Sequence, residues 1–100
     1  MTERLAERAE AVSRTLKLMA NDQRLLLLCR LRQGECAVGE LVDAVGVSQS
    51  SVSQHLARLR EGGMVKARRA ANNIFYSTAG PKIDALIDQL CDHFAGGEST

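Results

Sequence analysis

The chain has 100 residues, enough for a single domain with a modest core. With 45% hydrophobic and 25% charged residues it has the composition of an ordinary globular protein, and no apolar run approaches the roughly 18 residues of a membrane span. The net charge of +1 excludes a uniformly basic or acidic chain, so any polyanion-binding function must come from local clustering.

Only Phe75, Tyr76 and Phe94 are aromatic, so the core must be built from Leu, Val, Ile, Met and Ala, which suits helices. The charged, amphipathic N-terminal segment has no apolar export core and no cleavage site, so the cytoplasm is the expected compartment. Three cysteines in that compartment do not make a structural disulfide framework.

Residues 2–20 read as a helix. Leu5, Ala9, Val12, Leu16 and Met19 recur at three- and four-residue steps, Thr2 is a candidate cap, and Glu10/Arg14 is an i,i+4 pair. A second helix starts at Asn21 or Asp22 and runs to about Gln33, with Gly34 as its stop. It holds the run Leu25–Leu28, Cys29 and Leu31, so it is expected to be the most buried helix. A short third helix, "AVGELVDAVG", has Val38, Leu41, Val42 and Val45 on one side and ends at Gly46. Ser48 then caps a fourth, in which Val52, Leu56 and Leu59 form the buried stripe and Gly62-Gly63 the terminator. In "MVKARRAANNIFYST" the period changes, and Val65 and Ile74/Tyr76 flank a polar centre as in a β-hairpin. Gly80-Pro81 opens the last helix, with Ile83, Leu86, Ile87, Leu90, Cys91 and Phe94 apolar, and residues 96–100 are expected to be a frayed tail.

This order, mainly α with one small β-hairpin, predicts a winged helix-turn-helix spanning residues 1–100. Residues 38–61 supply the helix-turn-helix and 64–78 the wing. The helices at 1–20 and 80–95 carry apolar stripes that a chain of this size cannot easily cover, which predicts dimerisation through them.

Charge resolved along the chain agrees with that layout. Residues 49–76 carry Arg58, Arg60, Lys66, Arg68 and Arg69 against Glu61 alone, whereas residues 77–100 carry Lys82 against Asp84, Asp88, Asp92 and Glu98. On the fourth helix Ser50, Ser53, Gln54 and Arg58 share one face through i, i+3, i+4 and i+8 spacing, with Ser48 and Gln49 at its start. None is acidic, so this face can enter a major groove without repulsion, and Gln can pair with an adenine edge. Lys66, Arg68 and Arg69 lead to Asn72-Asn73 at the hairpin tip, placing cations and amides on a projecting ribbon that suits the DNA backbone or minor groove. A Ser/Gln-rich solvated face is the plainer alternative.

The strings "MANDQRLLLLCRL", "VGELVDAVGVSQSSVSQHLARLREGGMV" and "RRAANNIFYS" resemble the ArsR/SmtB family of winged-helix repressors over roughly residues 12–94. The resemblance implies a homodimer that binds double-stranded palindromic operator DNA and releases it when an effector binds. It implies a phosphate or helix-packing contact for His55, in the place of the family's "QHL".

For the effector, the resemblance bears on the cysteines. Family members that sense arsenic or cadmium carry a "CVC"-type pair, but here Ala37 and Gly39 stand in those places, with Cys36 alone nearby. Asp84, Asp88, Asp92 and His93 make no convincing zinc-type set, so no metal site is expected. The closest similarity is to the persulfide- and redox-sensing branch, the BigR/SqrR/HlyU type. It implies a switch between Cys29 and Cys91 driven by a reactive sulfur species or oxidant, with Cys36 at a turn and open to a resolving role. Cys29 matches that branch directly, but Cys91 falls one helical turn early, because strict alignment points near Phe94 or Ala95. Four residues move a side chain about 6 Å along a helix, and a disulfide accepts only about 4.4–6.8 Å between Cα atoms. Direct pairing is therefore in question.

Two other readings of the thiols stay open: a three-cysteine arsenite or soft-metal site, and plain packing, since free cysteine behaves as a small hydrophobe. No cysteine has the C-x-x-C or helix N-terminal setting of a thiol enzyme, so no enzyme is expected. A winged helix used only for protein interaction is the alternative of a different class.

Overall fold

The computed structural model describes residues 2–99, with side chains from residue 4 to residue 92. The elements in chain order are α1 (Thr2–Met19), α2 (Asp22–Arg32), β1 (Cys36–Ala37), α3 (Val38–Val45), α4 (Gln49–Glu61), β2 (Val65–Ala70), β3 (Asn73–Thr78) and α5 (Pro81–Ser99).

Local chemistry explains most of the boundaries. The Asn21 side chain accepts from the backbone N–H groups of Gln23 and Arg24 at 3.0 and 3.1 Å, capping α2. Gly46 ends α3 at φ 78°, a left-handed conformation that costs glycine no Cβ clash. The Ser48 hydroxyl accepts from Ser51 N–H at 3.1 Å and starts α4. The Glu40 carboxylate reaches back to the Ala37 N–H at 3.0 Å and closes the start of α3.

The core lies where α2, α3, α4 and the sheet meet. Leu27, Leu28, Leu41, Val52, Leu56 and Leu59 have no exposed surface, and Met64, Val65 and Ile87 close the cluster. Truncating such a leucine to alanine costs about 2–5 kcal/mol through lost transfer energy and the cavity left behind. α2 is central, as its leucines predict, although Leu26 remains 52% exposed.

Two features differ from the sequence reading. The wing is not an isolated hairpin: Cys36–Ala37 adds a third antiparallel strand, giving the order β1-β3-β2 with Cys36 opposite Tyr76 and Ala37 opposite Phe75. Two residues are too few to show a strand period, so this strand has no sequence signature. The segment expected to fray is helical through Ser99, because Gly96-Gly97 weakens a helix without stopping it and no proline follows. The side chains of His93 and Phe94 lie outside the described residues.

At the wing tip, Ala70 pairs with Asn73, so the loop is Ala71-Asn72 and Asn73 already belongs to β3. Ala71 has φ 57°, which an L-residue adopts at a cost. Ala71→Gly is therefore expected to stabilise the domain by about 0.5–1 kcal/mol, the relief outweighing glycine's extra unfolded-state entropy. Urea denaturation checks this; an unchanged midpoint would mean that the turn stores no strain.

Candidate nucleic-acid interface and thiol pair

α4 presents two unlike faces. Val52, Leu56 and Leu59 are fully buried, which fixes the rotation of the helix and leaves Gln49, Ser50, Ser53, Gln54 and Arg58 exposed. Its first turn holds no acid and its last turn holds Arg58 and Arg60. The outward set therefore offers amide and hydroxyl groups and a cation. Ser48 stands at the edge of this set, its hydroxyl oxygen already engaged as the cap.

His55 does not belong to the outward set. Its ring lies against the start of α2, with Nε2–H donating to Gln23 Oε1 at 2.8 Å and Nδ1 accepting from Arg24 Nη1 at 3.4 Å. These partners select the neutral tautomer protonated on Nε2. Burial pushes the ring's pKa below its ordinary value, and the nearby charges of Arg24 and Arg58 push it the same way. His55 thus serves as the helix-packing contact, fastening α4 to α2.

On the wing, Lys66, Arg69, Asn72 and Asn73 are exposed. Arg68 is committed elsewhere: its Nε and Nη2 both donate to the Glu35 carboxylate at 2.7 Å, and its guanidinium lies 4.9 Å from the Phe75 ring centroid. These hydrogen bonds hold Glu35 below the usual carboxylate range and raise Arg68. Arg68 therefore ties β2 to the turn that follows α2, and the outward cations of the wing are Lys66 and Arg69. Sequence reasoning missed Gln23, Arg24 and Glu35 as supports, because their partners lie 31 to 33 residues away and no local pattern links them.

Cys29 and Cys91 are joined as a disulfide between α2 and α5, with 6.4 Å between their Cα atoms. The one-turn offset of Cys91 is thus compatible with direct pairing. Three residues away on each helix, Arg32 Nε and Nη2 donate to the two carboxylate oxygens of Asp88 at 2.8 and 2.9 Å, with Asp84 at 3.9 Å. Cys29 with Cys91 and Arg32 with Asp88 mean that the two helices run antiparallel. The Arg32 side chain is directed at Asp88, whose pKa this hydrogen bond lowers. Both bridged cysteines are half-buried at the edge of the core.

Cys36 differs. It is fully buried, its Sγ donates to the Gly34 carbonyl at 3.5 Å, and burial pushes its thiol pKa up, which disfavours the nucleophilic thiolate. The structure places it within β1 with its side chain in the core, not at an open turn. Among the described residues no three His, Cys, Asp or Glu side chains gather as a metal site. No helix among them is long and apolar enough to cross a membrane.

A winged helix whose exposed reading helix bears amides, hydroxyls and a cation, beside a basic ribbon, defines a DNA-binding transcriptional regulator. The chain belongs to the arsR family of bacterial regulatory proteins, whose model matches residues 21–67. It is 45% identical over 75 residues to the transcriptional activator HlyU of Vibrio cholerae, covering 75% of this chain and 69% of that protein. The crystal structure of the transcriptional repressor BigR from Xylella fastidiosa superposes with a TM-score of 0.86 at 38% identity, over 98% of this chain and 97% of that one. A homodimeric winged helix-turn-helix DNA-binding domain from Mycobacterium bovis gives a TM-score of 0.82 at 33% identity, over 94% of this chain and 91% of that one.

The His55 contact has a pH consequence. Its folded pKa lies below the ordinary 6.5, so the unfolded chain takes up a proton that the folded ring resists. Stability is expected to be full above that pH and to decline as pH falls through 6.5 towards the lowered value. Thermal melting of wild type and His55→Gln between about pH 7.5 and pH 5.5 checks this, since the variant should lose less stability over the interval. Equal losses in the two proteins would show that His55 does not titrate differently on folding.

Proposed function

We propose that the protein is a homodimeric repressor whose affinity for operator DNA is set by the redox state of Cys29 and Cys91. The observation that carries this reading is the link itself, because a bond between these residues joins the central helix of the reading domain to the last helix. On α1, Leu5, Val12 and Leu16 are 68%, 56% and 50% exposed, an apolar row without a partner in one chain, which supports dimerisation through that helix. The homodimeric Mycobacterium bovis relative supports the assembly, and the Xylella repressor supports the sign of regulation, against which stands the Vibrio cholerae activator.

The reduced dimer presents its two α4 helices about one DNA turn, roughly 34 Å, apart in successive major grooves. Ser50, Ser53, Gln54 and Gln49 address base edges or nearby phosphates, and Arg58, Lys66, Arg69, Asn72 and Asn73 hold the backbone. A thiolate of one cysteine attacks the outer sulfur of a low-molecular-weight persulfide and becomes a protein persulfide, releasing the carrier thiol. The second thiolate then attacks the inner sulfur, forming the Cys29–Cys91 bond and expelling hydrosulfide. Overall the two protein thiols are oxidised and the persulfide is reduced. Tying α2 to α5 changes how the reading heads sit on the dimer and shifts the population away from the DNA-competent state. Cys36, buried with a raised pKa, takes no part in the exchange and packs the core.

A duplex selected from a random pool by the reduced protein provides the test. Persulfide treatment is expected to weaken binding by about 5- to 150-fold, the range of ordinary allosteric coupling. Intact mass should show the Cys29–Cys91 bridge, and Cys29→Ser should bind like reduced wild type under both conditions. Gln54→Ala should cost about 1–3 kcal/mol on the selected duplex and little on a random one. Equal binding by reduced and treated protein would remove the switch, and failure to select any duplex would favour a protein-interaction module.

A further inference from the structure

A second cationic surface adjoins the reading helix outside the turn and the wing. The last turns of α1, the start of α2 and the C-terminal half of α4 border an open groove of about 820 Å³. Arg14, Lys17, Arg24 and Arg58 line it, against a single lining carboxylate, Glu61. Arg14 is paired with Glu10 at 3.1 Å. Arg24 uses its donors on the Leu18 and Lys17 carbonyls, which compensate none of its charge. Lys17 and Arg58 are exposed and form no ion pair among the described residues.

α1 and the C-terminal end of α4 touch within the groove. At its floor Gly62 meets Leu18 so closely that an added Cβ would run into the Leu18 side chain. The charge of the site is also felt nearby, since Arg24 and Arg58 both depress the pKa of His55. Arg58 belongs at once to this groove and to the outward face of α4, so the two surfaces are continuous. A surface that is open, cationic and continuous with a DNA-reading helix suits an extended polyanion better than a small enclosed anion.

The geometry points to this groove as a seat for the phosphate backbone of the DNA strand beside the major groove that α4 enters, with Lys17 as a phosphate contact and Glu61 as an opposing charge that limits affinity. The inference rests on the DNA-binding reading above. It extends the footprint to α1, a helix otherwise assigned only to dimerisation. It also offsets the wing's reduced supply of outward charge, where Arg68 is held by Glu35.

Anisotropy titrations with a random-sequence duplex and with the selected duplex, over a salt series, test it for reduced wild type, Lys17→Gln and Glu61→Gln. Lys17→Gln is expected to weaken binding to both duplexes by a similar factor and to lower the steepness of log K against log salt by about 1.8, one phosphate contact from each protomer of the dimer. Glu61→Gln, which removes only the opposing charge, is expected to strengthen both several-fold. Both side chains are exposed, so unchanged melting temperatures should accompany these effects. Wild-type binding with an unchanged slope and affinity in both variants would overturn the groove while leaving the reading helix intact. Inorganic phosphate that protects Lys17 from acylation without DNA, again with unchanged DNA slopes, would make it a small-anion site instead. Wild type that binds neither duplex would overturn the DNA reading and the groove together.

Discussion

The packing of α2 is the constraint on which the rest of this structure depends. Leu27, Leu28 and Leu31 sink into the core from one helix, and the same helix is fastened by polar contacts along its length. At its start, Gln23 and Arg24 hold His55 of α4. Near its end, Arg32 holds Asp88 of α5. Just beyond it, Glu35 holds Arg68 of the wing. Reading helix, wing and last helix are therefore all referenced to one rigid rod. Because protein interiors are close-packed, a displacement of that rod cannot be absorbed locally. Cys29 sits on this rod, between the contact to the reading helix and the contact to the last helix.

The bridge and the ion pair beside it play different parts. The Arg32–Asp88 pair is solvent-exposed, and pairs of that kind add little to stability. It spans the same two antiparallel helices as the bridge, three residues from Cys29 on α2 and three from Cys91 on α5. The disulfide spans a sequence separation of 62. A loop of that size restricts the unfolded chain by about 4 kcal/mol in the loop-entropy account. The bridged form is thus expected to be the more stable fold, so a loss of DNA affinity on bridging would reflect geometry and not unfolding. This separates a switch from simple oxidative damage.

Much of this was legible in the sequence because the signals were local. The cap at Asn21, the left-handed Gly46, the cap at Ser48 and the Val52/Leu56/Leu59 stripe are decided within a few residues, and they set the helix-turn-helix and its outward face. The parts that were not legible depend on contacts far apart in the chain. Arg68 looked like one more wing cation until Glu35 was found opposite it. His55 could have faced either way, and only the Gln23 and Arg24 partners decide that it faces inward. Cys36 sat at an apparent turn, but a two-residue strand carries it under the sheet. The offset of Cys91 counted against pairing when measured along an alignment. What matters is the distance across two antiparallel helices, and that is 6.4 Å between Cα atoms.

The central claim is that bonding α2 to α5 moves the two reading helices relative to each other. Pulsed electron-paramagnetic-resonance distances between spin labels placed at Ala57, an exposed α4 position, in each half of the dimer measure this directly. Labelling through an unnatural side chain leaves Cys29 and Cys91 unmodified. The account predicts one inter-label distance in the reduced dimer and a resolved shift when the Cys29–Cys91 bridge forms, with no shift in Cys29→Ser. Superimposable distance distributions for reduced and bridged wild type would contradict it.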